Sequence, residues 1–228
     1  MPYDPLAASL PADNLPPEGV SLALLARAKG GDDTALVELL TRYQERLRRI
    51  VRIQLGSSRL RMLHDSMDVV QDTFLAALPK IRDLEPRSAA GLLQWLSLIA
   101  TNRIRDAHDH QHAAKRDVRR TVPLETPSTS GQFRGEAAPD RDPSHAAELA
   151  EIRDLLDDAV AQLPEDQRRV VMLRDYCGEA WERIAAELHR EPGATRQLHQ
   201  RAWIRLRGAL RPVLDQHRKP PGMSRGSP

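Results

Sequence analysis

The sequence predicts an all-α protein: two small helical domains joined by a flexible linker, the second containing a helix-turn-helix. Three observations carry this expectation. Aromatic residues make up only 4% of the 228 residues, and a chain rich in Leu, Ala, Arg and Glu favours helix over sheet. Apolar residues recur at helical spacing through most of the chain. Thirteen of the 17 prolines fall in three segments, at the two ends and in the middle. The middle segment, Thr121 to Ala146, holds 12 Pro, Gly, Ser or Thr among 26 residues, with Val122, Leu124 and Phe133 as its large apolar side chains. It cannot bury enough surface to offset the entropy of ordering it. The expected organisation is a tail over 1–20, a domain over 21–117, a linker over 118–146, a domain over 147–211 and a tail over 212–228.

In the first domain, Ser21 is placed to cap a short helix that breaks at Gly30-Gly31. Leu36, Leu39, Leu40, Tyr43, Leu47, Ile50 and Val51 then line one face of a long amphipathic helix. Asp65 or Ser66 begins the next, with Met67, Val70, Phe74, Ala77 and Leu78 inward and Pro79 near its end. A fourth runs from about Ala89 past Asp106, carrying Leu92, Trp95, Leu96, Ile99, Ala100 and Ile104.

In the second domain, Leu149, Ile152, Leu156, Ala159, Val160 and Leu163 form the first stripe. Pro164 opens a helix with Glu165 and Asp166 in the first turn, where acids suit the helix dipole, and Gly178 ends it. Trp181 to Leu188, a turn at His189 to Glu191, and a longer helix from Pro192 have helix-turn-helix spacing. At about 100° per residue, Thr195, Leu198, Ala202, Leu206 and Leu210 face the core. Arg196, Gln197, Gln200 and Arg207 then face away. Gly193 to Arg211 contains five Arg and no Asp or Glu. Such a helix fits a major groove, where Arg pairs with guanine and Gln with adenine. A merely solvated Arg-rich face is the competing reading.

Composition narrows the function classes. Lys+Arg 34 against Asp+Glu 32 leaves a net charge of +2, which taken alone argues against nucleic acid. The total conceals segregation: Arg42 to Arg61 sums to +6, Pro192 to Pro220 to +6, and Asp142 to Asp166 to −7. Charge pattern therefore matters more than the sum. A single cysteine, Cys177, excludes an internal disulfide framework and a Cys-based zinc cage, and its expected place is the core. No apolar run approaches the ~18 residues of a membrane span, and no export signal opens the chain, so a cytoplasmic protein without membrane contact is expected. His108, His110 and His112 invite a metal reading, but on a helix only His108 and His112 share a face and no Glu-containing zinc motif accompanies them. Neither cofactor nor metal is expected. Trp95 and Trp181 read as core residues.

Two ordered blocks resemble the bacterial RNA polymerase sigma factors of the extracytoplasmic-function group, which keep only the second and fourth conserved regions. SLALLARAKGGDDTALVELLTRYQERLRRIV resembles the opening helices of the family. DVVQDTFLAAL (Asp68 to Leu78) resembles its clamp-binding region, and LLQWLSLIATNRIRDAHDH its promoter-melting and −10-reading helix. LPEDQRRVVMLRDYCGEAWERIAAEL followed by GATRQLHQRAWIRLR resembles its −35-reading region. The resemblance implies core-polymerase contacts at Asp68, Gln71 and Asp72. It implies −10 contacts at Arg87, Ser88, Asn102, Arg103 and Arg105, with the segment Arg82 to Ala90 capturing a flipped base. It implies −35 contacts at Arg196, Gln197, Gln200, Arg201 and Arg207. Core RNA polymerase, through its clamp and flap, promoter DNA and an anti-sigma factor are the partners it implies. The sequence departs from the family pattern at four places: His189 and Arg190 stand where Gly and an apolar residue are frequent, Leu92 replaces a frequent aromatic, His199 a frequent apolar residue and Trp203 a frequent Arg.

Geometry is compatible with this reading. DNA elements about one and a half turns apart require ~50–60 Å to be bridged. Val118 to Ser144 has a coil span of about 30 Å and a stretched limit near 90 Å. Two rivals remain open at this stage: a helix-turn-helix regulator that binds duplex DNA independently of polymerase, and a metal-dependent hydrolase using the His cluster. Without a nucleophile–base pair or phosphate loop, a non-enzyme is expected.

Overall fold

The computed structural model describes residues 18–56, 65–86, 88–117 and 143–217. The middle of the expected linker, both outer tails, Arg87, and the side chains of His110 and His112 lie outside the described residues. The chain divides into two compact units, Asn14–Pro143 and a second built on Ser144–Pro228. Among the described residues both are wholly helical.

The N-terminal unit contains α1 (Glu18–Lys29), α2 (Asp33–Leu55), α3 (Ser66–Ala77) with a 3₁₀ turn at Leu78–Lys80, and α4 (Ala89–Asp117). Helix α2 packs against the other three. Its Leu39, Tyr43, Leu47, Ile50 and Val51 are buried, and the Tyr43 hydroxyl donates to the Ala89 carbonyl at 3.3 Å, tying α2 to the start of α4. Gln54 adds a second tie, donating to Thr101 Oγ1 at 2.9 Å.

The break between α1 and α2 is made by Gly31, whose φ of +92° suits a residue without Cβ, and by Asp32. One carboxylate oxygen of Asp32 accepts the Ala35 N–H at 3.0 Å, satisfying an orphan donor of the helix start. The other oxygen accepts Arg27 Nε and Nη2 at 3.0 and 2.7 Å. Asp65 caps α3 in the same way, accepting from the Met67 N–H.

The C-terminal unit contains α5 (Pro143–Ala161), α6 (Glu165–Val171) running into a π-helical turn at Met172–Tyr176, α7 (Trp181–Glu187) and α8 (Pro192–His217). Helix α8 packs on α6 and α7 through buried Thr195, Leu198, Ala202, Leu206 and Leu210, the face that the spacing assigns. His189 adopts the left-handed φ of +52° at the turn between α7 and α8; His enters that region more readily than most side chains.

Several expectations need correction. Helix α1 begins at Glu18, inside the expected 1–20 tail, so Ser21 lies a turn within it and is fully buried rather than capping. Helix α5 begins at Pro143, inside the expected linker, because proline is well suited to a first helical turn. Helix α8 runs to His217, past the expected boundary at 212. Pro212 removes one N–H from the carbonyl of Gly208, which is exposed to water. On α3 the buried residues are Val69, Val70, Thr73 and Ala77, whereas Met67 and Phe74 are half-buried and Leu78 is exposed.

The Ala35 amide, first, and the Arg27 guanidinium hold the Asp32 carboxyl below its ordinary value of 3.8. Its stabilising contribution is therefore present above that value and disappears as pH falls through the lowered one. Asp32→Asn, which keeps a capping oxygen but loses the charge, is expected to lower the thermal midpoint at pH 7. The difference from the parent should vanish in acid below the usual carboxylate range, a trend that melts across a pH series measure.

Candidate nucleic-acid and partner interfaces

Helix α8 presents Arg196, Gln197, Gln200, Arg201 and Arg207 to solvent, opposite its buried stripe. The five fan over one side of the helix, with Arg196, Gln200 and Arg207 along nearly the same line and Gln197 and Arg201 about 100° round from it. The Arg196 guanidinium stands 5.8 Å from the Trp181 ring centroid and 3.6 Å from Glu182. Arg174 covers the same indole at 4.8 Å and donates to the Glu179 carbonyl at 2.8 Å. Trp181 is thus a half-buried ring approached by two cations, not a core residue. Arg190, in the turn, pairs with Asp166 on α6 at 2.6 Å.

Behind this face lies a polar cluster that the spacing does not reveal. Asp175, on the π turn, accepts from His199 Nε2 at 2.8 Å and from Trp203 Nε1 at 2.9 Å, both on the same oxygen. The edge of the His199 ring meets Trp181 at 5.2 Å between centroids. A π turn bonds i to i+5 and so places more residues in one turn than an α-helix does; here Leu173, Asp175, Tyr176 and Cys177 are all buried together. Tyr176 donates to the buried Asp157 of α5 at 2.6 Å. Asp175, Arg174 and Trp181 are the site residues that motif reading missed. The signal for Asp175 lies in its helical distance of four from buried Val171, which puts an acid on the inward face.

In the N-terminal unit, α2 and α3 leave an open groove of about 430 Å³, walled by Leu36, Val37 and Leu40 on one side and Val70, Phe74 and Leu75 on the other. Val37 and Leu75 are 47% and 65% exposed, so among the described residues nothing covers this apolar surface. Gln71 lies in the wall of the groove, and Asp68 and Asp72 are exposed one turn apart on the same helix.

The residues proposed for −10 contact are not gathered at one point. Asn102 and Arg105 share an outward stripe of α4 with Leu98, which is 60% exposed. Arg103 is exposed but turned about 100° from Asn102. Ser88 caps α4: its hydroxyl accepts the Gly91 N–H at 3.0 Å and its carbonyl accepts from Leu92 at 3.1 Å. His108 is exposed, and no group of three metal-ligating side chains occurs among the described residues. No helix there is long and apolar enough to cross a membrane.

A helical unit with an open apolar groove and a second unit with a basic helix-turn-helix are the architecture of a DNA-binding protein. Residues 39–114 match the family model for Sigma-70 region 2, and residues 153–206 that for Sigma-70, region 4. The chain is 32% identical over 191 residues to the ECF RNA polymerase sigma factor SigD of Mycobacterium tuberculosis, covering 82% of each. It is 30% identical to the RNA polymerase sigma factor CarQ of Myxococcus xanthus, over 82% of this chain and 95% of that one. Among solved structures it matches CnrH in complex with the cytosolic domain of CnrY at 24% identity and a TM-score of 0.46, over 86% of this chain and 98% of that one. The chain belongs to the extracytoplasmic-function RNA polymerase sigma factors and directs RNA polymerase in transcription initiation.

Tyr176 and Asp157 brace the π turn from behind. Tyr176→Phe is expected to cost roughly 1.5–3 kcal/mol, the range for a hydrogen bond to a charged group, as read from urea denaturation of the full chain.

Proposed function

We propose that the two units divide promoter recognition as follows. Region 2, over 21–117, binds core polymerase and the −10 element; region 4, over 147–211, reads −35. The observation that carries this division is the apolar groove on the N-terminal unit, open among the described residues and walled in part by the helix that bears Asp68, Gln71 and Asp72. A stand-alone duplex-binding regulator has less use for such a surface unless it dimerises there. Apolar walls supply burial, while the acids and Gln71 supply orientation toward basic and hydrogen-bonding groups of the polymerase clamp.

Helix α8 lies in the major groove at −35, with Arg196, Gln197, Gln200 and Arg201 nearest the bases and Arg207 on phosphate. Arg196 already lies against Trp181, 5.8 Å from the ring centroid, so less side-chain freedom is lost on binding. At −10, Asn102, Arg103 and Arg105 of α4 track the melted strand. Base capture falls to the segment that contains Ser88, whose hydroxyl keeps its capping bond, with Arg87, outside the described residues, as its neighbour in sequence. Opening exchanges base stacking for protein contacts, and no bond-making group takes part; the protein is a binding factor, not an enzyme. It works in the cytoplasm, where polymerase is. An anti-sigma factor is the further partner that membership of this family implies for the chain.

The full chain alone is expected to bind promoter DNA weakly, and to open it only with core polymerase, in transcription of a genomic library in vitro. Tight binding to a palindromic duplex by the isolated chain, unaffected by polymerase, would sink this reading. Arg196→Ala should cost about 1–3 kcal/mol of promoter affinity, confined to −35. Gln71→Ala combined with Asp72→Ala should weaken core binding roughly tenfold in a direct titration. Intact core affinity with −10 opening lost would reassign α3 to DNA.

A further inference from the structure

We propose that His199 and Trp203 are positioning residues for the −35-reading helix: together with Asp175 they fix its rotation, and with it the bases that Arg196 and Gln200 reach. The inference rests on the −35 reading above.

The chemistry of the cluster is determined by its donors. A carboxylate only accepts, so the close approach of His199 Nε2 to Asp175 Oδ2, at 2.8 Å, requires the imidazole proton to sit on Nε2. The indole N–H has no lone pair to offer and donates as well, to the same oxygen at 2.9 Å. The 3.1 Å between Trp203 Nε1 and His199 Nε2 is then the approach of two donors converging on one acceptor. Asp175 therefore grips α8 at two points one helical turn apart.

A single bond would allow the helix to roll about its contact. Two bonds from residues i and i+4 to one fixed oxygen restrain both roll and axial slide. The fixed end is itself braced, since Asp175 is buried on the π turn, next to Tyr176 and its bond to Asp157. The restraint also reaches the reading face. His199 meets Trp181 edge-on, and Trp181 lies against Arg196.

The cluster also removes one side chain from the reading face. Residue 203 lies seven after Arg196, so the helical period aligns the two on the outward side. Trp203 is half-buried instead, with its only polar atom committed to Asp175. Base selection at that level of the helix is left to its neighbours, and the indole acts through them rather than on DNA.

The test is selection of −35 sequences from a randomised promoter library by holoenzyme containing the full chain. His199→Leu and Trp203→Phe, which keep a bulky apolar or aromatic side chain in place but remove a donor, are expected to relax the selected sequence. Each should lower the matched-to-scrambled −35 transcription ratio about fivefold, the effect of losing roughly one hydrogen bond, while affinity for core polymerase is unchanged. His199→Gln, whose amide can still donate to Asp175, should restore most of the ratio. Wild-type selection by both His199→Leu and Trp203→Phe overturns the proposal, as does an equal loss on matched and scrambled templates, which is the mark of simple destabilisation. Arg196→Ala in the same assay separates the two levels. If it leaves selection unchanged, the −35 reading fails and the proposal with it. If it alters selection while the cluster variants do not, only the proposal falls.

Discussion

Each unit depends on one long helix that must bury one face and leave the other usable. In the N-terminal unit this is α2, whose Tyr43, Leu47, Ile50 and Val51 are completely buried. In the C-terminal unit it is α8, with Thr195 and Ala202 completely buried and Leu206 nearly so. Each fully buried large apolar side chain contributes about 1.5–3 kcal/mol, and units this small have few of them to set against chain entropy. The buried stripe therefore cannot be traded for function. What remains for the proposed contacts is the wall of a groove on α2 and the Arg- and Gln-bearing face on α8.

That division explains why so much of the fold was legible. Thr195, Leu198, Ala202, Leu206 and Leu210 follow the helical period without interruption, and one face of α8 follows from spacing alone. The same reasoning misassigned part of α3. Met67, Phe74 and Leu78 have the chemistry of core residues, yet line the groove with α2. Hydropathy records that a side chain avoids water; it does not record whether the cover comes from the same unit or from a partner. Thr73, by contrast, is fully buried because its hydroxyl donates to the Val69 carbonyl at 2.7 Å, leaving its methyl free to pack.

The candidate site was legible in its exposed members and obscure behind them. Arg196, Gln197, Gln200, Arg201 and Arg207 are outward as their positions on the helix require. His199 and Trp203 stood out only as departures from a family pattern, because the carboxylate that explains them is 24 residues away in sequence from the nearer one. A pairing of that kind is invisible to periodicity, which reports each helix separately. The π turn deepens the difficulty, since it places Asp175, Tyr176 and Cys177 on the inside together where a regular helix would turn one of them outward. Burying a carboxylate is unfavourable unless it is hydrogen-bonded, so Asp175 and the two donors on α8 constrain one another.

The near-neutral total charge acquires a mechanism at this level. Arginines of the C-terminal unit are matched by acids of the same unit: Arg190 with Asp166, Arg169 with Glu187, Arg196 with Glu182. All are surface pairs, of a kind worth about 0–1 kcal/mol each. They are too weak to withhold an arginine from a phosphate or guanine that engages it bidentately, yet they reduce the field that the free protein presents. An arginine that leaves its acid for DNA gives up a local partner, so each such contact must offset that loss. On the proposed −35 reading, bases met by Arg196 and Gln200 together meet that cost in a way that scattered phosphates do not. Segregated charge with local pairing thus biases a factor of this kind toward promoters reached in company with polymerase and away from bulk DNA.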